Sequence, residues 1–136
     1  MKDPQRDAGH WLAEAEVDLN LSERIAEEFP SRACFHAQQA GEKALKAILS
    51  ATGQRRVVGH SLSDLGDAVT GHDPTYGELH DEASTLDRFY IATRYPNGLP
   101  GGLPSRQYRH EDAEAAVSTA RKVLEHARRF LDERSR

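Results

Sequence analysis

One stretch restricts what this chain can fold into more than any other. Residues 34 to 49 read CFHAQQAGEKALKAIL, and with their neighbours they set Ala33, Ala37, Ala40, Ala44, Ala47 and Ala51 at alternating steps of four and three. At about 100° per residue these six methyl groups fall in one narrow line along a helix. Side chains this small let a second helix axis approach more closely than leucines would, and Cys34, Gly41 and Ile48 widen the same face. The stripe therefore reads as a packing seam, within the chain's own core or against a second subunit. The polar residues lie elsewhere on the wheel. His36, Gln39, Lys43 and Lys46 share the far side, while Gln38 and Glu42 lie on the other flank among Phe35, Leu45 and Leu49.

Helical periodicity recurs on both sides of this stretch. From about Pro4 to Phe29, the residues Trp11, Leu12, Ala15, Leu19, Ser22, Ile25, Ala26 and Phe29 share one arc, with Asp18 inside it. Pro30 stops that helix and can open the next, which runs to about Ala51 before Gly53 ends it. Ser61 and Asp64 have the spacing of a capping box, followed by Leu62, Leu65 and Val69 in a short helix closed by Gly71. Asp73 and Pro74 then pair a cap residue with a proline at the first helical position, and Leu79, Ala83, Leu86, Phe89 and Tyr90 form the buried face of a fourth helix. The segment YPNGLPGGLPSRQ, with three prolines and three glycines, cannot be the interior of a helix or strand. A last helix carries the seam Ala113, Val117, Ala120, Leu124, Ala127 and Leu131, flanked by Ala116, Val123 and Phe130. No strand signal appears. The predicted fold is all-α: an antiparallel, up-and-down bundle of four main helices plus one short helix, forming a single domain over residues 1–136. The seams of the second and last helices set these two side by side, or bring one of them against another subunit.

Composition removes several classes of function. A net charge of −4 argues against a broad basic face that binds nucleic acid by counterion release, so any RNA contact must be local. Cys34 is the single cysteine, which leaves no disulfide framework and no two-cysteine metal site, and suits a reducing cytoplasm. The N-terminal MKDPQRDAGHW has no apolar core like that of a signal peptide, and no apolar run is long enough to span a bilayer, so a cytoplasmic protein without membrane contact is expected. His10, His72, His80 and His126 stand singly on four segments, which predicts no metal site. GLPGG follows a helix and contains proline, unlike a phosphate-binding loop, and no cofactor is expected. On the last helix Arg121, Lys122, Arg128, Arg129 and Arg134 interleave with Glu125, Asp132 and Glu133 as a solvated face.

A functional cleft is predicted from two polar lines. Asp87, Tyr90 and Arg94 stand at i, i+3 and i+7 directly before the Gly/Pro-rich segment. Turned toward the face bearing His36 and Lys43, they would form a cleft with cations and an aromatic ring, suited to a phosphate and a base. The predicted nucleotide- or phosphate-binding residues are His36, Gln39, Lys43, Tyr90, Arg94 and Tyr95, with Asp18 and Asp87 as supporting polar groups. The alternative is that Asp18 and Asp87 neutralise Lys43 and Arg94 as partly buried ion pairs that set helix register.

ACFHAQQAGEKALKAIL followed by GHSL, preceded by WLAEAEVDLNLS and followed by LDRFYIATRYPN, resembles the HEPN family of small helical proteins across nearly the whole chain. The resemblance implies a four-helix bundle with a short extra helix, commonly homodimeric. It also implies a minimal nucleotidyltransferase encoded alongside, the two proteins acting as toxin and antitoxin. Some members of the wider family cut RNA and others bind nucleotides without catalysis. The cutting branch carries an arginine, four to six residues, then a histidine, because a metal-free ribonuclease needs a base for the 2′-hydroxyl proton and a fixed cation for the charge growing on phosphorus. Arg55 and His60 have that spacing, but they precede the short helix. In catalytic members the motif lies near the start of the last core helix, where this chain has only the closer-spaced Arg106 and His110. His60 reads equally as the residue before a helix cap. The resemblance thus implies a nucleotide- or RNA-binding HEPN component that acts through its partner rather than by its own catalysis. The alternatives are a metal-independent ribonuclease toxin using Arg55 and His60, and a structural helical dimerisation module.

Overall fold

Asp3 opens the first helix by accepting from the backbone amides of Gln5 and Arg6, each at 3.1 Å, with Pro4 at the first helical position where no amide is needed. The structure is a computed structural model that describes residues 3–54, 59–92 and 107–135, excepting the side chains of residues 91 and 92. Its α-helices are α1 (Pro4–Ile25), α2 (Pro30–Ala51), α3 (Leu62–His72), α4 (Gly77–Ser84), α5 (Phe89–Ala92) and α6 (His110–Arg134). Single 3-10 turns, Pro74–Tyr76 and Thr85–Arg88, precede α4 and α5. Together these elements form the expected all-helical bundle, in which α1, α2, the α4–α5 segment and α6 are the main members and α3 is the short one.

Helix α2 occupies the centre. It packs on α1 along one side and on α6 along another, and α3 and α5 cover more of it. Ala33, Ala37, Ala40, Ala44 and Ala47 are fully buried, so the stripe is intramolecular core. On α6 the matching residues Ala113, Ala120 and Ala127 are fully buried too. Both seams are thus taken up within one protomer, and neither is available to a second copy. Gly41 belongs to the same close approach. A Cβ there would lie 2.8 Å from Leu62 Cδ2 and 3.2 Å from Leu86 Cδ1, so the missing side chain is what lets α3 and the Thr85–Arg88 turn seat against α2.

Two expected boundaries move, for local reasons. Helix α1 ends at Ile25 rather than Phe29, and Phe29, expected in the buried arc, is 54% exposed. Its backbone leaves the helical region (φ −131°, ψ 68°) because the ring of Pro30 crowds the preceding residue. The single helix expected after Asp73 is instead divided by the turn at Thr85–Arg88. Ser84 donates its hydroxyl to the His80 carbonyl at 2.8 Å and Thr85 to the Glu82 carbonyl at 2.6 Å, and such back-bonding bends a helix. Among the described residues, no helix is long and apolar enough to cross a membrane.

Candidate functional site

A charged residue can lie on the buried arc of α1 only if it finds partners, and Asp18 finds two on α2. Its carboxylate accepts from Lys43 Nζ at 2.7 Å and stands 3.1 Å from His36 Nδ1. Burial alone would raise the Asp18 carboxyl. The hydrogen bonds and charges of His36 and Lys43 outweigh it and hold the group below its ordinary value. For Asp18 and Lys43 the ion-pair alternative is therefore the one realised, and His36 belongs to the same triad.

A second group forms on the other flank of α2. Glu42 is buried and divides its carboxylate between Lys46 Nζ and His60 Nδ1, each at 3.2 Å. Lys46 also lies 5.1 Å from the centre of the Trp11 ring, a cation–π contact. The His60 imidazole stacks on Tyr90 with ring centres 4.8 Å apart and planes 16° from parallel, yet its side chain is 59% exposed. Two glutamines of α2 extend this second group. Gln39 donates to the Gln38 side chain at 2.7 Å, and Gln38 donates to the His60 carbonyl at 2.9 Å. His60 also stands directly before the α3 cap, as the alternative reading places it, and the capping itself falls to the next residue. Ser61 fills that role by accepting from the Asp64 amide at 3.1 Å.

Asp87 is not part of this band. It reaches the start of α3, where one oxygen accepts from the Leu62 amide at 2.6 Å and the other from the Ser63 amide at 3.0 Å and the Ser61 hydroxyl at 3.1 Å. The expected line of Asp87 and Tyr90 is split because the turn at Thr85–Arg88 winds more tightly than an α-helix, so Asp87 caps while Tyr90 stacks. Arg55, Arg94, Tyr95 and Arg106 lie outside the described residues. His110 pairs with Glu114 at 2.8 Å in a groove it shares with Glu23, Ala26 and Arg121.

Three features were not singled out in the sequence. Glu42, on the leucine-bearing flank, and Lys46 stand at i, i+4 and pair, and that spacing was the signal available. Tyr76 is fully buried between His80 and His126, with ring centres 5.8 and 5.3 Å away, and nothing local marks it. His126 in turn meets Asp73 at 2.6 Å, which ties α6 to the corner before α4. Burial pushes the Cys34 thiol up to about 12, which removes it as a nucleophile. Among the described residues no cluster of His, Cys, Asp and Glu could hold a metal ion.

The family model of the HEPN domain matches residues 8–130, which takes in both polar groups on α2. The chain belongs to the HEPN domain family. The crystal structure of TT1696 from Thermus thermophilus is similar to this HEPN chain with a TM-score of 0.81 and 36% identity, covering 93% of this chain and 97% of that one. A second crystal structure, of the archaeal HEPN homologue ST0689, superposes with a TM-score of 0.76 at 29% identity over 96% and 99% of the two chains. In sequence, the toxin candidate MJ1304 of Methanocaldococcus jannaschii is 29% identical over 134 residues, 91% of this chain and 88% of that protein.

Proposed function

We propose that this HEPN chain is the nucleotide- or RNA-binding component of a toxin–antitoxin type pair, and that it works through a minimal nucleotidyltransferase partner rather than by catalysis of its own. The observation that carries the reading is the stacked His60 and Tyr90. Two rings fixed in parallel, one anchored at Nδ1 by a buried carboxylate and still largely open, form a platform on which a base can stack. Gln39 lies on the same helix as that carboxylate and, with one amide hydrogen given to Gln38, has a second for a base edge or a phosphate oxygen. The toxin designation of the Methanocaldococcus relative supports the paired system.

Among the described residues of α2 the charge balance favours binding over cleavage. A ribonuclease without metal needs a cation free to meet the phosphorane, and Lys43, Lys46 and His36 are each already matched to a carboxylate. One observation supports the ribonuclease reading as the second choice. An exposed imidazole oriented by Glu42 has the arrangement of a positioned general base. Titration with ATP, GTP and a single-stranded RNA separates these readings. Wild type should bind at least one of them and leave the RNA intact, with affinity falling about tenfold in His60→Ala, the loss of one stacked base. RNA cleavage that disappears in His60→Ala and Arg55→Ala would make the protein a ribonuclease. Absence of binding to all three probes would leave the band a structural network.

A further inference from the structure

Lys46 belongs to the second polar group, yet at 6% exposure it is all but closed to a ligand. Its ammonium rests on Glu42 Oε2 at 3.2 Å and over the Trp11 ring at 5.1 Å. Glu42 is buried as well, and its other oxygen meets His60 Nδ1 at 3.2 Å. Trp11, Lys46, Glu42 and His60 thus form one chain of contacts, which starts on α1, crosses α2 and ends at the open imidazole stacked on Tyr90.

The order of charges along that chain fixes a proton. A carboxyl paired with an ammonium is ionised and only accepts hydrogen bonds. Nδ1 must then carry the hydrogen shared with Glu42, and in the neutral ring Nε2 keeps a bare lone pair. Among the described residues only Nδ1 of this ring is engaged in a hydrogen bond, so Nε2 is open. A bare nitrogen accepts, and so does a phosphate oxygen, so the two do not bond. The neighbouring residues agree. Lys43 and His36 are matched to Asp18, and Lys46 to Glu42, which leaves none of these three for a phosphate. Gln38 donates to the His60 carbonyl and accepts from Gln39, which leaves Gln39 one amide hydrogen and its amide oxygen, the pair that a base edge can use.

We propose that Lys46 is a positioning residue: acting through Glu42, it holds His60 in the tautomer with a bare Nε2, so that this band takes the nucleoside part of a ligand and not its phosphate. The proposal rests on the nucleotide- or RNA-binding reading. The group met by Nε2 is a hydrogen-bond donor, a ribose hydroxyl or an exocyclic amine of the base. Loss of Lys46 reverses what the ring offers. Without its countercharge a buried carboxylate is neutralised, and whether the proton settles on Glu42 or on the imidazole, Nε2 then carries a hydrogen.

Nitrogen NMR of the histidine-labelled full chain at about pH 8, above the ordinary imidazole range, tells a bare ring nitrogen from one that carries hydrogen. Wild type should show Nδ1 protonated and Nε2 bare. Lys46→Met should place hydrogen on Nε2, and Lys46→Arg, which keeps the charge, should restore the wild-type pattern; a lysine that only supports the fold would leave the tautomer unmoved. Where Lys46→Met does not fold, Glu42→Gln tests the same chain, because its amide turns the oxygen to Lys46 and the hydrogens to Nδ1, with the same effect on Nε2. Inorganic phosphate should leave the wild-type Nε2 signal in place. Those of ATP, GTP and single-stranded RNA that bind should shift that signal and leave the nitrogen bare. Loss of the shift with the deoxy analogue assigns the donor to the ribose, and its retention assigns the donor to the base. A protonated Nε2 in wild type, a tautomer unmoved by Lys46→Met and Glu42→Gln, or a response of Nε2 to phosphate alone overturns the proposal. If the tautomers behave as expected but none of the three probes binds, the ligand reading is what fails, and the nucleoside assignment falls with it.

Discussion

Replacing Asp87 by alanine separates a structural carboxylate from a ligand-binding one. Asp87 accepts from two amides and a hydroxyl at the start of α3, although it lies on a different segment more than twenty residues away. An ordinary N-cap loss costs about 0.5–2 kcal/mol. Here the Leu62 amide adds to that, because Leu62 is fully buried and water cannot replace the lost acceptor. Leaving such a donor unpaired costs about 1–3 kcal/mol. The Ser63 amide is near solvent and recovers most of its bond. The total expected for Asp87→Ala is about 2–4 kcal/mol, or roughly 3–5 °C in Tm for each kcal/mol in a chain of this length. Asp87→Asn should fall between, since it keeps one acceptor oxygen but turns an amide group toward the Ser63 amide and the Ser61 hydroxyl. Urea unfolding followed by circular dichroism measures both variants. A loss under about 0.5 kcal/mol for Asp87→Ala, at unchanged m-value, would refute the capping argument, and so would a larger loss for asparagine than for alanine.

Other perturbations address the core and the triad. Ala40→Leu places a larger side chain where α2 has no free surface and should cost about 1–3 kcal/mol by thermal melting; an unchanged Tm would mean that the alanine stripe does not bear the packing. The folded Asp18 carboxyl lies below its usual 3.8, so its contribution is complete above that value and disappears as pH falls through the lowered folded value. The acid limb of the wild-type stability profile should therefore be steeper than that of Asp18→Asn, and coincident limbs would show that the bridge to Lys43 and His36 adds nothing.

Local rules were enough to place much of this fold. Ser61 and Asp73 each act on amides two or three residues away, and those caps are where the sequence puts them. The alanine spacing of α2 and α6 depends only on helical periodicity, and HEPN membership was legible in FHAQQAGEKALKA with HSL and RYP downstream. Tertiary structure decided the rest. Whether Asp87 faces a ligand or the start of α3, and whether Glu42 meets only Lys46 or His60 as well, depends on how the helices cross and rotate about their axes. Contacts between residues 18 and 43, 42 and 60, or 62 and 87 join segments whose periodicities say nothing about one another. The same holds for α1. Its exposed Val17 and Leu21 are ordinary helix residues in the sequence, and they become an open face only because Ala15, Leu19 and Ser22 turn the other side of the helix onto α2.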